Sequence, residues 1–318
     1  VFGVIILVGL VGNAVIITVI KREHKLHTRA NYLIGSLAMA DLLVSLLVSP
    51  FSAVMTLHEF TPNLYFVGHH VMCQLFTFLD VTCCTASILH LCAIAHDRYT
   101  AVTKLQYRHR THFKKVLPCI VLIWLAAVLL SVTPYFVFPS PTTDEGLMCS
   151  VNTNKIYRIV ATTIAFYAPL VIIIAIYWRV ARIAWTRIHH SVSATPSNGK
   201  EFHFPSTMQR YKVYYSAVRK KTTLVALENR HSRHPRHRKI IRTMGMVIGA
   251  FVACWLPFFI KELIVPFCGE QCHLDPSLEV FINWLGYANS ALNPFIYAFS
   301  NEEFNKAIRK LFRWNRRR

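Results

Sequence analysis

Hydrophobic residues along the 318-residue chain fall into long, nearly unbroken blocks. They do not alternate as in half-buried strands, nor recur every third or fourth position as in surface helices. A helix that crosses a bilayer needs about 20 consecutive, mostly apolar residues. Seven blocks reach that length, at about 1–20, 31–57, 71–95, 116–138, 157–178, 240–266 and 278–299. Helices satisfy their own backbone groups in lipid, so the pattern predicts an all-α membrane protein, a bundle of seven transmembrane helices. After the seventh block the pattern changes. Phe304, Ile308, Leu311 and Phe312 lie on one face of Asn301 to Arg313, among charged residues, which predicts a short amphipathic helix on the membrane surface. The expected organisation is a bundle over 1–300, including a flexible loop at about 184–236, followed by the amphipathic helix and a basic tail over 301–318. The first block opens at Val1 and runs to Ile20 without a small-residue cleavage site, so it reads as a span rather than a signal peptide. A chain that opens inside a span is expected to have further residues ahead of it.

Composition sharpens this reading. The chain is 54% hydrophobic, and 16% of its residues are charged, against about 25% in a soluble domain. Yet 35 Lys and Arg against 15 Asp and Glu give a net charge of +20. That charge is segregated. The first loop holds Lys21, Arg22, Lys25 and Arg29; the third holds Lys104, Arg108, Arg110, Lys114 and Lys115; the fifth is dense in Lys and Arg; the tail carries Arg313 and Arg316 to Arg318. The fourth and sixth loops carry the acids Asp144, Glu145, Glu270 and Asp275 instead. By the positive-inside rule the basic loops and the C-terminus are cytoplasmic and the N-terminus is extracellular. The charge then serves topology and contact with anionic lipids. Nucleic-acid binding is not supported, because the basic residues sit in separate loops without interleaved base-stacking aromatics. In the fifth loop, Ala194 to Gly199 reads as a turn-rich stretch, and Arg219 to Thr223 as a candidate target of a basic-directed kinase.

Of nine cysteines, Cys83, Cys84, Cys92, Cys119 and Cys254 lie within blocks and read as small core residues. Cys73, Cys149, Cys268 and Cys272 fall on the oxidising side, where disulfides form. Four cysteines allow three pairings. If Cys268 and Cys272 close a small ring within their loop, Cys73 is left for Cys149; free thiols are the alternative.

Ionisable residues inside a span are costly and read first as functional. Those that stand out are Asp41, Asp80, and Asp97 with Arg98 in H-D-R-Y. Asp80 follows Cys73 by seven residues, which puts it roughly 10 Å below one end of its helix, and Arg98 lies roughly 27 Å further on. Asp80 therefore faces a crevice on the outer side, and Arg98 the cytoplasm. A carboxylate in a desolvated crevice calls for a cation, and a ligand ammonium is the pointed reading; a structural carboxylate held by Thr, Tyr or water is the plain one. Pro257 in C-W-L-P-F-F breaks its helix ladder, and Trp255, Phe258 and Phe259 lie beside it. With Trp284 and Tyr287 of the seventh block they can wall a pocket for a cation carrying an aromatic ring. Asp41, Ser87, Asn289, Ser290 and Asn293 can meet at the bundle centre, as an oxygen-rich Na⁺ site or as a water-filled hydrogen-bond cluster.

Taken in order, G-N-A-V (12–15), S-L-A-M-A-D (36–41), D-R-Y (97–99), Trp124, F-Y-A-P (166–169), C-W-L-P (254–257) and N-P-F-I-Y (293–297) closely resemble the rhodopsin-like G-protein-coupled receptors over nearly the whole chain. Asp80 with W-L-G-Y (284–287) is similar to the biogenic-amine receptors, and D-V-T-C-C-T-A-S-I-L-H-L (80–91) and I-N-W-L-G-Y-A-N-S (282–290) to serotonin receptors of type 1. The resemblance implies that Asp80 binds the amine and that Val81, Cys84, Thr162, Trp255, Phe258, Phe259, Asn283 and Tyr287 line the ligand pocket. It implies that Ile88, Pro169 and Phe251 connect the pocket to helix motion. Asp97, Arg98, Tyr99, Tyr177, Pro294 and Tyr297 would belong to the activation machinery that admits a heterotrimeric G protein, by analogy of the inhibitory class. Receptor kinases and arrestin are further implied partners, at the plasma membrane.

The chain also departs from that pattern. Where amine receptors offer hydroxyls from span five, this one reads Ala161, Thr162 and Ala165, which suits an indole better than a catechol. Serotonin is the favoured ligand, with an octopamine, tyramine or dopamine receptor of the same mechanism as the alternative. His237 stands where an acid usually pairs with the D-R-Y arginine, so measurable basal activity is expected. Positions 103–107 read T-K-L-Q-Y without the usual proline, Phe66 replaces a usual Trp, and the tail after Phe304 has no Cys. An opsin is excluded by the missing Lys in the seventh span, and a transporter by the few embedded charges and lack of symmetry. Pro235 interrupts a metal site at His231, His234 and His237. No nucleophile–base pair or Gly-rich phosphate loop points to an enzyme.

Overall fold

Several of the apolar blocks form helices that outrun their hydrophobic lengths. The computed structural model describes residues 1–60, 70–103, 111–137, 155–193, 243, 245–265, 267 and 274–315. Cys149, Cys268, Cys272, Phe66, His237, positions 104–107, the turn-rich 194–199 stretch and the basic 219–223 stretch lie outside the described residues.

Helix α1 is Phe2–Arg22. Span two comprises α2 (Arg29–Leu43), one π turn (Val44–Val48) and α3 (Ser49–Phe60). Span three is α4, His70–Thr103, and span four is α5, Leu117–Val137. Span five comprises α6 (Lys155–Thr162), a second π turn (Thr163–Tyr167) and α7 (Ala168–Ser193). Span six is α8, Gly245–Val265. Span seven is α9, Pro276–Ser300, and the amphipathic helix is α10, Glu302–Asn315. Among the described residues six stretches are long and apolar enough to cross a bilayer. Helix α9 is less apolar because it turns Asn289, Ser290 and Asn293 into the bundle, where all three are buried.

Helices α4 and α7 run well beyond the expected limits of 95 and 178, and α7 enters the stretch expected to be loop from about 184. Hydropathy marks the thickness of the lipid slab, whereas a helix ends where its capping and backbone bonding end. Three starts show such capping, one of them that of α10, where Asn301 accepts from the Glu303 N–H at 3.0 Å. Thr28 accepts from the Asn31 N–H at 3.2 Å before α2. Asp275 accepts from the N–H groups of Ser277 and Leu278 at 2.9 and 3.2 Å, with Pro276 in the first turn of α9. Both π turns end two residues before a proline, Pro50 and Pro169. Proline has no N–H to give the preceding turn and crowds its carbonyl, so the helix widens locally where the ladder is broken.

Helix α4 runs through the middle, packed on α2, α5 and α7, while α1 packs on α2 and α9. Close approach in lipid requires small residues. A Cβ on Gly12 would lie 2.8 Å from Pro294, so glycine at that position lets α1 close on the proline of α9. Beside it Asn13 donates to the carbonyls of Gly9 and Ser290, each at 3.0 Å, tying the two helices. Trp124 of α5 and His90 of α4 meet on Ser36 of α2, at 3.1 and 2.8 Å. At one end of the bundle Arg29 and Asp97 form an ion pair at 3.8 Å. Helix α10 buries Phe304 and is held to the end of α1 by Lys310 and Glu23 at 3.0 Å.

Candidate functional site

Asp80 faces a crevice between α4, α6, α8 and α9. It encloses about 770 Å³, open solvent at its mouth included. The nine residues expected to line a ligand pocket all line this crevice: Asp80, Val81, Cys84, Thr162, Trp255, Phe258, Phe259, Asn283 and Tyr287. Their sequence spacing explains the convergence. Asp80, Val81 and Cys84 share one turn of α4, as Trp255, Phe258 and Phe259 do of α8 and Asn283 and Tyr287 of α9.

Among the described residues the Asp80 carboxylate has two hydrogen-bond partners. The Tyr287 hydroxyl donates to Oδ2 and the Cys84 thiol to Oδ1, each at 3.4 Å. The hydroxyl contact is long for a strong bond. No Lys, Arg or His among the described residues pairs with it. Opposite stands an aromatic wall: Phe258 meets Trp255 and Phe259 edge to face at 5.9 and 5.2 Å, and Phe259 stacks on Phe166 at 4.1 Å. A Cβ on Gly286 would come within 3.1 Å of the Trp255 ring, so this glycine admits the indole against α9. Thr162 is buried and lines the crevice, whereas the next residue, Thr163, bonds back to Ile159 on the exposed side. Ala161 and Ala165 also line the crevice and offer it no polar group. Its inner part thus combines the Asp80 carboxylate, aromatic faces and the threonines Thr85 and Thr162.

Trp284 departs from expectation. It stacks on Phe2 of α1 at 4.1 Å and packs with Val44 and Val48 of span two. It is the neighbour Tyr287, three residues on, that reaches the crevice. A tryptophan adjacent to a pocket-lining asparagine points roughly 100° away around the helix, and sequence proximity alone hid this.

Three ionisable residues belong in the set of embedded charges and were not expected there. Arg158 and Glu262 line the crevice and pair at 3.0 Å, with Glu262 buried. Lys261 contacts Glu262 at 3.7 Å, Glu279 at 2.9 Å and the Asn283 side-chain oxygen at 3.2 Å, and lies 5.2 Å from the centre of the Phe258 ring. Lys261 and Glu262 fall near the edge of the sixth apolar block, where neighbouring Phe and Ile residues mask them; adjacent opposite charges at a block edge were the available signal.

Deeper in the bundle Asp41 is buried and accepts from Ser290 at 2.9 Å and Asn293 at 2.8 Å. Ser87 faces the same carboxylate while donating to the Cys83 carbonyl at 2.9 Å. Asn289, the remaining member of the expected oxygen cluster, turns toward Cys254, and its amide nitrogen is buried without a hydrogen-bond partner among the described residues. Four of the five therefore converge.

Between the two clusters Ile88, Phe251 and Phe166 are fully buried together, with Phe166 and Phe251 ring centres 5.7 Å apart. The Pro169 carbonyl accepts from the Cys92 thiol at 3.7 Å. Toward the Arg98 end, Asp97 is buried against Arg29, and Arg98 and Tyr99 are half-buried on the last turns of α4. The Tyr177 hydroxyl lies where a Cβ on Gly245 would be 3.0 Å away, so it abuts the start of α8. Tyr297 is buried over Phe304 at 6.3 Å, its hydroxyl unpartnered among the described residues. Thr243 donates to the Ser300 carbonyl at 3.4 Å, which holds that end of span six against span seven. At the other end Cys73 is disulfide-bonded, while Cys83, Cys84, Cys92, Cys119 and Cys254 are free thiols. Its partner is therefore among Cys149, Cys268 and Cys272.

Known proteins match this arrangement along its length. The family model of the seven-transmembrane receptors of the rhodopsin family matches residues 12–297. The 5-hydroxytryptamine receptor 1D of Cavia porcellus is 38% identical over 331 residues, spanning 98% of this chain and 87% of the relative. The 5-hydroxytryptamine receptor 1B of Didelphis virginiana is 39% identical over 338 residues, spanning 99% and 85%. The 5-hydroxytryptamine receptor 1D of Homo sapiens is 38% identical over 334 residues, spanning 98% and 87%. With seven helical spans, a carboxylate crevice at one end and the D-R-Y turn at the other, the chain belongs to the rhodopsin family of seven-transmembrane, G-protein-coupled receptors, and is a multi-pass membrane protein rather than an enzyme.

Proposed function

We propose that this receptor is activated by a biogenic amine, with serotonin its favoured ligand. The observation that carries the reading is Asp80: a carboxylate in an aromatic crevice, with a long hydroxyl contact to Tyr287, a thiol contact to Cys84 and no cationic partner among the described residues. A ligand ammonium supplies the missing charge, and the faces of Trp255, Phe258 and Phe259 take a flat ring. The single hydroxyl of Thr162, flanked by Ala161 and Ala165, matches one ring hydroxyl rather than the two of a catechol. The names of the relatives, 5-hydroxytryptamine receptors, agree with this choice.

Binding acts through differential affinity. An amine held between Asp80 on α4 and Thr162 on α6 draws the outer ends of the helices together. Span six pivots at Pro257, repacking Phe251 against Ile88 and Phe166, and its inner end leaves the contact between Thr243 and Ser300. That opens the surface of Arg98, Tyr177 and Tyr297 to a heterotrimeric G protein, of the inhibitory class by likeness to the type 1 receptors, with arrestin and receptor kinases acting on the same face. The segregated basic loops support an extracellular N-terminus and a cytoplasmic C-terminus at the plasma membrane, next to anionic lipids. Asp41, Ser87, Ser290 and Asn293 supply hard oxygen ligands suited to a Na⁺ ion that stabilises the resting state.

The test is a panel of serotonin, octopamine, tyramine and dopamine on cells expressing the receptor, with cyclic AMP and calcium read in parallel. Serotonin is expected to act at the lowest concentration and to lower cyclic AMP. A catecholamine or octopamine acting at lower concentration would overturn the serotonin assignment, and a calcium response alone would overturn the inhibitory coupling.

A further inference from the structure

Arg29 stands where helix electrostatics disfavours it. It is the first residue of α2, at the positive end of the helix, and the first turn holds no acid to offset it. Its backbone is nevertheless firmly held. Thr28 caps the turn, the Asn31 side chain donates to the Leu26 carbonyl at 2.9 Å, and Leu26, Ala30 and Asn31 are buried. From this base the side chain crosses to α4, where Nε lies 3.8 Å from Oδ1 of Asp97. The Asp97 side chain is 3% exposed and that of Arg29 48%. A carboxylate so deeply buried gains from any cation brought to it, and Arg29 brings one from another helix.

Asp97 precedes Arg98, the half-buried residue that rearranges when a G protein docks. Consecutive residues on a helix point about 100° apart, so a carboxylate drawn toward α2 is drawn away from the residue that follows it. Attraction between Asp97 and Arg98 opposes any swing of Arg98 toward a partner in the cytoplasm. Arg29 competes for that carboxylate from the α2 side. We infer that Arg29 is a positioning residue for G-protein activation: it holds Asp97 against α2 and so eases the release of Arg98. The inference rests on the activation reading of Arg98 and is independent of which amine binds. It gives the start of α2 a part in signalling, through one ion pair between α2 and α4.

The experiment measures nucleotide exchange on heterotrimeric G proteins of each class, in membranes of cells expressing the full chain. It is run without ligand and with serotonin, at matched surface receptor. Arg29→Lys, Arg29→Ala and Arg29→Glu grade the charge at one half-exposed position. For the helix, Glu is best and Lys worst, because the start of α2 is positive; activation is expected to follow the opposite order. Arg29→Lys should stay within about twofold of the wild type, Arg29→Ala should lower exchange by about threefold, the scale of a half-exposed ion pair, and Arg29→Glu should lower it further. Asparagine at 97 carries no charge to compete for, so Arg29→Ala is expected to have no effect in an Asp97→Asn background. An order that follows helix stability, an unchanged Arg29→Ala, or a loss as large in the Asp97→Asn background overturns the inference and leaves the activation reading standing. A wild type silent with and without serotonin, or exchange unaltered by Arg98→Ala, removes the activation reading and this inference with it.

Discussion

Asp80→Asn isolates the charge at the centre of the proposed site. Asparagine has the volume of aspartate, and its side-chain oxygen still accepts from the Tyr287 hydroxyl, which lies 3.4 Å from the native carboxylate. The packing around Trp255 and Phe258 is therefore kept, and only the net charge is removed. Two unit charges about 4 Å apart interact by about 4 kcal/mol at the effective dielectric of a partly buried site. That corresponds to about three powers of ten in affinity, and water at the open mouth of the crevice trims it to about a hundredfold at least. Serotonin affinity is measured by competition against a radiolabelled amine, with cell-surface receptor counted separately by antibody labelling. The expected result is normal surface expression with a loss of at least about a hundredfold. Normal expression with affinity within threefold of the wild type would refute the counter-ion argument, because no rearrangement within the crevice supplies a second carboxylate at the same place.

Thr162→Ala removes a hydroxyl that span five offers the inner pocket and is expected to weaken serotonin about fivefold while leaving tryptamine, which lacks the ring hydroxyl, nearly unchanged; equal losses in competition binding would take Thr162 out of recognition. Asp41→Asn is expected to abolish the reduction of agonist affinity by added NaCl, compared with N-methylglucamine chloride at the same ionic strength, and a retained Na⁺ effect would assign the ion elsewhere. Gly12→Val places a branched side chain where a single Cβ already comes within 2.8 Å of Pro294, and overpacking of about 1–3 kcal/mol should lower the thermal unfolding midpoint in detergent; an unchanged midpoint would show that α1 and α9 can separate freely. Where the receptors that this chain resembles carry an acid, the sequence has His237, so signalling without agonist is expected to exceed that of empty membranes, and Arg98→Ala should remove the excess; no excess in the wild type would refute this.

Much of the architecture was legible because lipid imposes a simple rule. Every spanning backbone must satisfy itself, so seven apolar blocks mean seven helices, and a change to a 3.6-residue period after Ser300 means a helix lying on the surface. The same rule made Asp41 and Asp80 conspicuous, since a carboxylate in an apolar block needs a reason. Helix ends were not legible, because polar residues past the slab continue α4 to Thr103 and α7 to Ser193. Nor were the π turns before Pro50 and Pro169, which depend on how a broken ladder relaxes.

By itself the sequence determined which residues are embedded, which face of each helix carries the polar groups, and which loops carry the charge, because these follow from composition and periodicity. Only the tertiary structure decided which of those faces meet. It sends Trp284 to Phe2 of α1 and brings Tyr287 to Asp80, though both stand in W-L-G-Y. It sets Asn289 against Cys254 while Ser290 and Asn293 bond to Asp41. It joins Arg158 to Glu262, more than a hundred residues apart. Neighbours along a helix point in directions about 100° apart, and the rotation of each helix about its axis is fixed by close packing such as Gly12 on Pro294 and Gly286 on Trp255. Such contacts between distant segments, rather than any local pattern, made the crevice a site with one negative charge, an aromatic wall and a paired cation and anion near its mouth.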